Sequence, residues 1–309
     1  MQQLISKIQF STFESGEFIL TALRSYDQLI ALIEIFPWEK QHAQFKVGLC
    51  GPSITIETSD GRFLKLSWFY NRKFILYFLN GHNKVFQKVL PHLEDSYFYI
   101  KKFYEQQLDL NDFKIKSTWS KHNDKYFVSK DFTYAVSFKS AASYLFYTSW
   151  FVLLTWWILP SMVLNTEHIN AMGLLFAFLM LFIFGGINFW VFLNYYFYAR
   201  DKVLMLSKGN DLFYFGSPSD FKSFNKSDIS KIIQIQHRGS RSPLVNFALF
   251  VIEFKDGTLL QIPNIFMQES LFGEKFESRL FAYKSGNILV KRNRKISKAG
   301  NPLFFRKKN

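Results

Sequence analysis

Between Lys139 and Arg200 the chain carries a single formally charged residue, Glu167, with His168 beside it. The first uncharged stretch runs from Ser140 to Thr166 and includes Phe151-Val-Leu-Leu-Thr-Trp-Trp157; the second runs from Ile169 to Ala199. Crossing a bilayer takes roughly 20 apolar residues at about 1.5 Å rise each, and both stretches are long enough. The expectation is a membrane protein with a transmembrane helical hairpin over 140–199. Its spans would be about 141–164 and 171–198, joined by the tight turn Asn165–Asn170.

Charge sets the expected orientation. Lys121, Lys125, Lys130 and Lys139 precede the hairpin, Arg200, Lys202 and Lys208 follow it, and its turn holds no Lys or Arg. Such asymmetry places both ends in the cytoplasm, hence a multi-pass membrane protein with cytoplasmic N- and C-termini. Tyr144, Trp150, Tyr195, Tyr196 and Tyr198 suit interfacial aromatic belts. Gly173, Gly185, Gly186 and Asn188 are the expected interhelical packing positions. No ionisable group falls at mid-membrane depth, so the hairpin reads as an anchor, not a transport path.

Composition agrees with a greasy chain. Among 309 residues are 38 Phe, 15 Tyr and 7 Trp, against only 20% charged residues. Net charge is +14, and the one cysteine, Cys50, excludes an intrachain disulfide or a multi-cysteine zinc site. The opening Met1–Phe10 lacks the pattern of a secretory leader. Insertion would then depend on the hairpin, leaving residues 1–139 in the cytosol.

Residues 1–116 read as an α+β domain. Glu17–Leu23 is a strand candidate, and Ser25 is placed to N-cap a helix over Tyr26–Glu34, stopped near Pro37. A meander follows in Ser53–Thr58, Phe63–Trp68 and Phe74–Leu79, separated by turns at Ser59-Asp-Gly61 and Asn71 and closed at Asn80-Gly81. From Pro91 to about Gln107 the period becomes helical, with Leu93, Tyr97, Ile100 and Tyr104 on one stripe. Residues 117–139 are a linker with juxtamembrane strand patterns at Lys125–Lys130 and Phe132–Phe138.

Past the hairpin, over 200–283, come short strands: Val203–Ser207, Asp211–Phe215, Phe221–Asn225, Lys231–Gln236, Phe247–Phe254 and Leu259–Ile262. A helix is expected from Gln268 to about Tyr283. Antiparallel strands capped by one C-terminal helix resemble a pleckstrin-homology (PH)-like antiparallel β-barrel. With Tyr126–Phe138 before the hairpin, Asp228-Ile229 before a strand and Phe254-Lys-Asp-Gly257 closing another, about residues 120–283 resemble the bacterial YcxB-like membrane family. The resemblance implies a PH-like domain, a location in the bacterial inner membrane and no catalytic residues. Residues 1–116 fall outside it and resemble bacterial immunity proteins only in size and shape.

The tail, 284–309, is basic and lacks acidic residues. Lys291, Arg292, Arg294, Lys295, Lys298, Arg306, Lys307 and Lys308 are the expected contacts to anionic lipid headgroups at a membrane surface. The loop around Arg238 and Arg241 is the expected partner-binding element. No helix-turn-helix, zinc finger or RNP pattern turns these charges toward nucleic acid. Neither a phosphate-binding glycine loop nor a nucleophile or zinc-protease motif occurs, and the six histidines are scattered. No catalytic residue, metal site or cofactor is predicted. The expected function is a non-enzymatic scaffold presenting its PH-like and α+β domains to a protein partner, with a toxin-neutralising immunity protein as the alternative and a lipid-acting enzyme third.

Overall fold

The computed structural model describes residues 2–42, 49–116, 123–146, 171–237 and 244–290. Within 171–185 only Leu175 and Leu179 have described side chains. The chain divides into two compact units: residues 1–131 with 207–210, and residues 132–206 with 211–309.

The first unit is built on a seven-stranded antiparallel sheet in the order β2-β1-β3-β4-β5-β6-β7. Its strands are β1 Leu4–Gln9, β2 Ile19–Arg24, β3 Ser53–Glu57, β4 Phe63–Trp68, β5 Phe74–Leu79, β6 Val85–Leu90 and β7 Lys114–Ile115. Alternation places Leu4, Ile8, Ile54, Ile56, Leu64 and Leu66 on one face, where they form a core with Leu29 and Ile33 of helix α1 (Tyr26–Ile35) and Ile100 and Phe103 of helix α3 (Asp95–Tyr104). Trp38, on the short helix α2 (Trp38–His42), closes that core against Trp68 and Phe74.

Ser25 caps α1 as its sequence predicts. Its hydroxyl accepts from the Gln28 N–H, and the Gln28 side chain accepts from the Ser25 N–H, a reciprocal capping box. The helix stops at Phe36, whose backbone is extended before Pro37. The meander strands β3, β4 and β5 lie where alternation and turn residues put them. Every residue of β4 and β5 is buried, so both sheet faces are covered.

The second unit has two four-stranded sheets, β11-β10-β9-β8 and β14-β13-β12-β15. Their strands are β8 Thr133–Ala135, β9 Val203–Met205, β10 Leu212–Ser217, β11 Asp220–Asn225, β12 Ile229–Gln236, β13 Ala248–Phe254, β14 Leu259–Pro263 and β15 Phe281–Lys284. Strands β8 and β9 pair directly, Tyr134 opposite Leu204, although residues 136–202 intervene. Both sheets share one core containing Phe213, Phe215, Phe247, Phe250, Ile252 and Ile262.

Two helices lie in the intervening segment. The first, α4, is helical over 138–146, and Ser137 and Ser140 cap it reciprocally. The second, α5, spans Ala171–Ala199. Its last turns present Val191, Phe192, Tyr195 and Ala199, at helical spacing, to the unit's core.

That placement corrects the membrane expectation. Among the described residues no helix is long and apolar enough to cross a membrane. Most of the first predicted span, 147–164, and the predicted turn lie outside the described residues. In the second, one face of the final turns packs on protein, not lipid. The tyrosines assigned to an aromatic belt are used there: the Tyr195 hydroxyl donates to Ile288 O and that of Tyr198 to Gln261 O. The fold class is α+β with a transmembrane hairpin unsupported, and the multi-pass inner-membrane location that rested on the hairpin is unsupported with it.

A second correction concerns the C-terminal cap. The predicted helix from Gln268 to Tyr283 is only α6, Glu269–Gly273, followed by a 3₁₀ turn at Ser278–Leu280 and strand β15. Its apolar spacing is used differently: Phe272 is buried, stacked on Phe250, whereas Phe281 begins the parallel pairing with β12. Strand β1 carries no clear alternation in the sequence, because it is buried on both faces for most of its length.

Replacing Ser25 by Ala should destabilise the first unit by about 1 kcal/mol, since the Gln28 N–H loses its hydroxyl acceptor. Denaturant unfolding should show a lower midpoint with an unchanged slope.

Candidate functional site

The second unit carries an open groove of about 770 Å³ lined by β11, Asp228 in the turn before β12, and the β13–β14 turn. Strand β11 is a sheet edge with mostly exposed residues. Phe221 stacks on Tyr214, and Phe224 stacks on Phe254. Lys222 and Lys255 bring positive charge to the groove, and Asp228 and Asp256 bring negative charge. Its frame is fixed by backbone: Lys255 N–H donates to Asp228 O at 2.8 Å, and Gly257 takes φ +81° in the turn, a conformation that suits glycine. Thr258 donates through N–H and hydroxyl to the Asp256 carboxylate.

Inside this unit the ionisable groups are tied into the fold. Glu269, in the first turn of α6, accepts from Gln234 Nε2 at 2.8 Å, Gln236 Nε2 at 3.3 Å and Asn264 Nδ2 at 3.4 Å. Burial still holds its carboxyl above the usual range. The Tyr144 hydroxyl donates to Asn264 Oδ1 at 2.6 Å. Burial raises the Tyr144, Tyr195 and Tyr198 phenols as well. Lys202 lies 3.1 Å from the centre of the Tyr198 ring, and burial lowers it to about 8.

The first unit holds a polar layer that the sequence did not announce. On the sheet face opposite α1 and α3, register aligns Lys7, Thr55, Lys65 and Tyr77 in one row. Lys65 is fully buried, and its three donors reach Gln9 Oε1 at 2.7 Å, Leu49 O at 2.6 Å and Tyr126 O at 3.0 Å. Lys7 is 2% exposed and pairs with Glu57 at 2.9 Å. Both ammonium groups lie near the Phe18 ring, at 4.9 Å for Lys7 and 5.6 Å for Lys65. Burial lowers Lys7, and lowers Lys65 from 10.5 to about 7. The only hint was a lone Lys within Phe63-Leu-Lys-Leu-Ser-Trp68; alternation alone reads such a residue as solvent-facing. Lys65 instead ties the covering segments at Leu49 and Tyr126 to the sheet. In the same unit Glu17 accepts the Gly209 and Asn210 N–H groups, and a side chain at Gly209 would meet Phe13.

The predicted site residues fall as follows. Arg238, Arg241 and the tail residues Lys291, Arg292, Arg294, Lys295, Lys298, Arg306, Lys307 and Lys308 lie outside the described residues. So do the surroundings of Gly173 and Gly185. Gly186 is half-buried with open space beside it, and Asn188 is buried with its Oδ1 unpaired among the described residues. Cys50 is a half-buried free thiol, while His82 and His92 are exposed. Asp95 sits in the first turn of α3, where a negative charge favours the helix, and accepts the His92 N–H. No group of three metal-ligating side chains stands together among the described residues.

Residues 133–275 match the family model of the PH domain. The second unit contains a PH-like domain. Its strands β8–β14 and helix α6 fall within the match, so α4 and α5 are inserted between the first two strands. No curated protein and no solved structure matches the chain.

The buried lysine gives a pH test. With its folded pKa near 7 against 10.5 unfolded, the unfolded chain binds the extra proton between those values, so stability rises with pH across that window and is flat below it. The slope of this contribution approaches about 1.4 kcal/mol per pH unit. Thermal unfolding of the Lys65→Met variant should lack this component, so the stability of the native chain relative to the variant should increase from pH 7 to pH 10.

Proposed function

We propose that the chain is a non-enzymatic binding or scaffold protein whose PH-like unit engages a protein partner. One observation supports the reading most. The unit's buried phenols and its Glu269 carboxyl are engaged in tying α4 to Asn264, the last turns of α5 to Ile288 and β12 to α6, whereas its open groove combines an edge strand, aromatic rings and charges of both signs. Such a surface suits recognition of a partner. PH domains as a class bind lipids or proteins, and mixed charge at this groove suits a protein better than an anionic headgroup. The narrower likeness to the YcxB-like proteins draws support from Asp228-Ile229 leading into β12 and from the Phe254–Gly257 turn.

Within this reading the first unit is a second binding module. A toxin domain held by residues 1–116 would make the protein an immunity factor, and a resident complex held by the PH-like unit would make it a scaffold.

The test is recovery of a stoichiometric partner by the full chain, repeated with Phe221→Ser and Lys255→Glu. Both positions border the groove and leave the core intact. Loss of the partner by about tenfold with an unchanged thermal transition supports the proposal. Undiminished recovery in both variants, or substrate turnover by the purified chain, overturns it.

A further inference from the structure

The C-terminal end of the PH-like unit is bound in an unusual way. Strand β15 lies parallel along the edge of β12, with Phe281 opposite Ile232 and Lys284 opposite Ile235. Its own side chains are half-buried or exposed, Tyr283 at 60%. The chain then passes through Ser285-Gly286 into a strap in which Asn287 is exposed, its Oδ1 accepting the Leu289 N–H, while Ile288 and Val290 are buried, at 2% and 3%.

The strap is held by side chains reading its backbone. Asn194 donates from Nδ2 to Val290 O at 3.2 Å, and its Oδ1 accepts the Val290 N–H at 2.8 Å. Its amide thereby takes the place of a neighbouring strand. One residue on, the Tyr195 hydroxyl donates to Ile288 O at 3.0 Å. Neither contact depends on which side chains the strap carries. Selectivity comes from two aliphatic side chains two residues apart, buried in the core shared by α5 and the sheets, with Phe281 and Leu289 partly buried against it.

We propose that residues 281–290 are an internal stand-in for a partner's extended segment: strand β12, Asn194 and Tyr195 form a peptide-binding groove that the chain's own end keeps filled. The inference rests on the binding reading above and names its site and partner chemistry. The partner contributes a strand parallel to β12, followed by two aliphatic residues at positions i and i+2 that replace Ile288 and Val290. The strap is suited to release. Residues 287–290 are anchored by two buried side chains and three hydrogen bonds, and β15 by one short parallel pairing, whereas β12 is buried along its inner face and stays paired with β13 along its length when β15 leaves. Binding of a partner therefore requires the strap to leave, which makes it autoinhibitory.

The probe is a labelled peptide with the sequence of residues 281–290, added to the full chain. The double variant Ile288→Ser, Val290→Ser should bind it at least about tenfold more tightly than the native chain, because its own strap competes poorly. Adding Asn194→Ala should weaken that binding, and a peptide with Ser at both aliphatic positions should not bind. Hydrogen exchange on the unaltered chain is the second measurement: the amides of Leu289 and Val290 should exchange faster than those of β12. A folded double variant that takes up no peptide overturns the proposal. So does equal binding to both chains, dimerisation of the variant by exchange of the same segment, or exchange of the strap only together with the β12 amides on the β13 side. Success or failure here is separate from the loss of partner at Phe221 and Lys255, which tests the binding reading itself.

Discussion

Buried backbone carbonyls need donors, and in the second unit helix α5 supplies them from its side chains. Ile288 O, Val290 O and Gln261 O accept from Tyr195, Asn194 and Tyr198 within two turns of that helix. Without those donors the segment after β15 would bury polar groups at a cost comparable to a lost hydrogen bond each. The helix thus joins both ends of the PH-like core, through its apolar face to the sheets and through its polar tips to the strap.

The first unit meets the same constraint with charge. Among the described residues Lys65 has no carboxylate against it but three oxygen acceptors, two of them backbone carbonyls of the covering segments. A neutral apolar residue would avoid the burial penalty and leave those carbonyls unpaired. The ammonium is retained at a depressed pKa, which makes the cover of this sheet face sensitive to protonation. Lys7 resolves its burial conventionally, through Glu57.

Much of the fold was legible in residue order. The N-cap at Ser25, the Asn80-Gly81 turn and the alternation of β3 to β5 are local, and local signals are written in adjacent residues. The PH-like strands were legible because Gly209-Asn210 and Asp256-Gly257 punctuate them. The hairpin was misread because hydropathy measures only how apolar a segment is. The same Tyr195, Tyr196 and Tyr198 that suit a membrane interface suit equally a helix packed on an aromatic core. Strand β15 was misread as helix because Leu271, Phe272, Phe276 and Leu280 have helical spacing, while the outer edge of β12, which recruits Phe281, is remote in sequence.

Sequence by itself determined the α+β character, the N-terminal helix with its cap, the meander and the PH-like strand set, because capping, turn chemistry and period-two alternation act between near neighbours. Only tertiary structure decided what the last turns of α5 pack against, that Lys7 and Lys65 face inward, and that the C-terminal strap fills a groove beside β12. Each depends on a partner distant in the chain, and whether a polar group can be buried is settled by the donor or acceptor that the fold delivers to it.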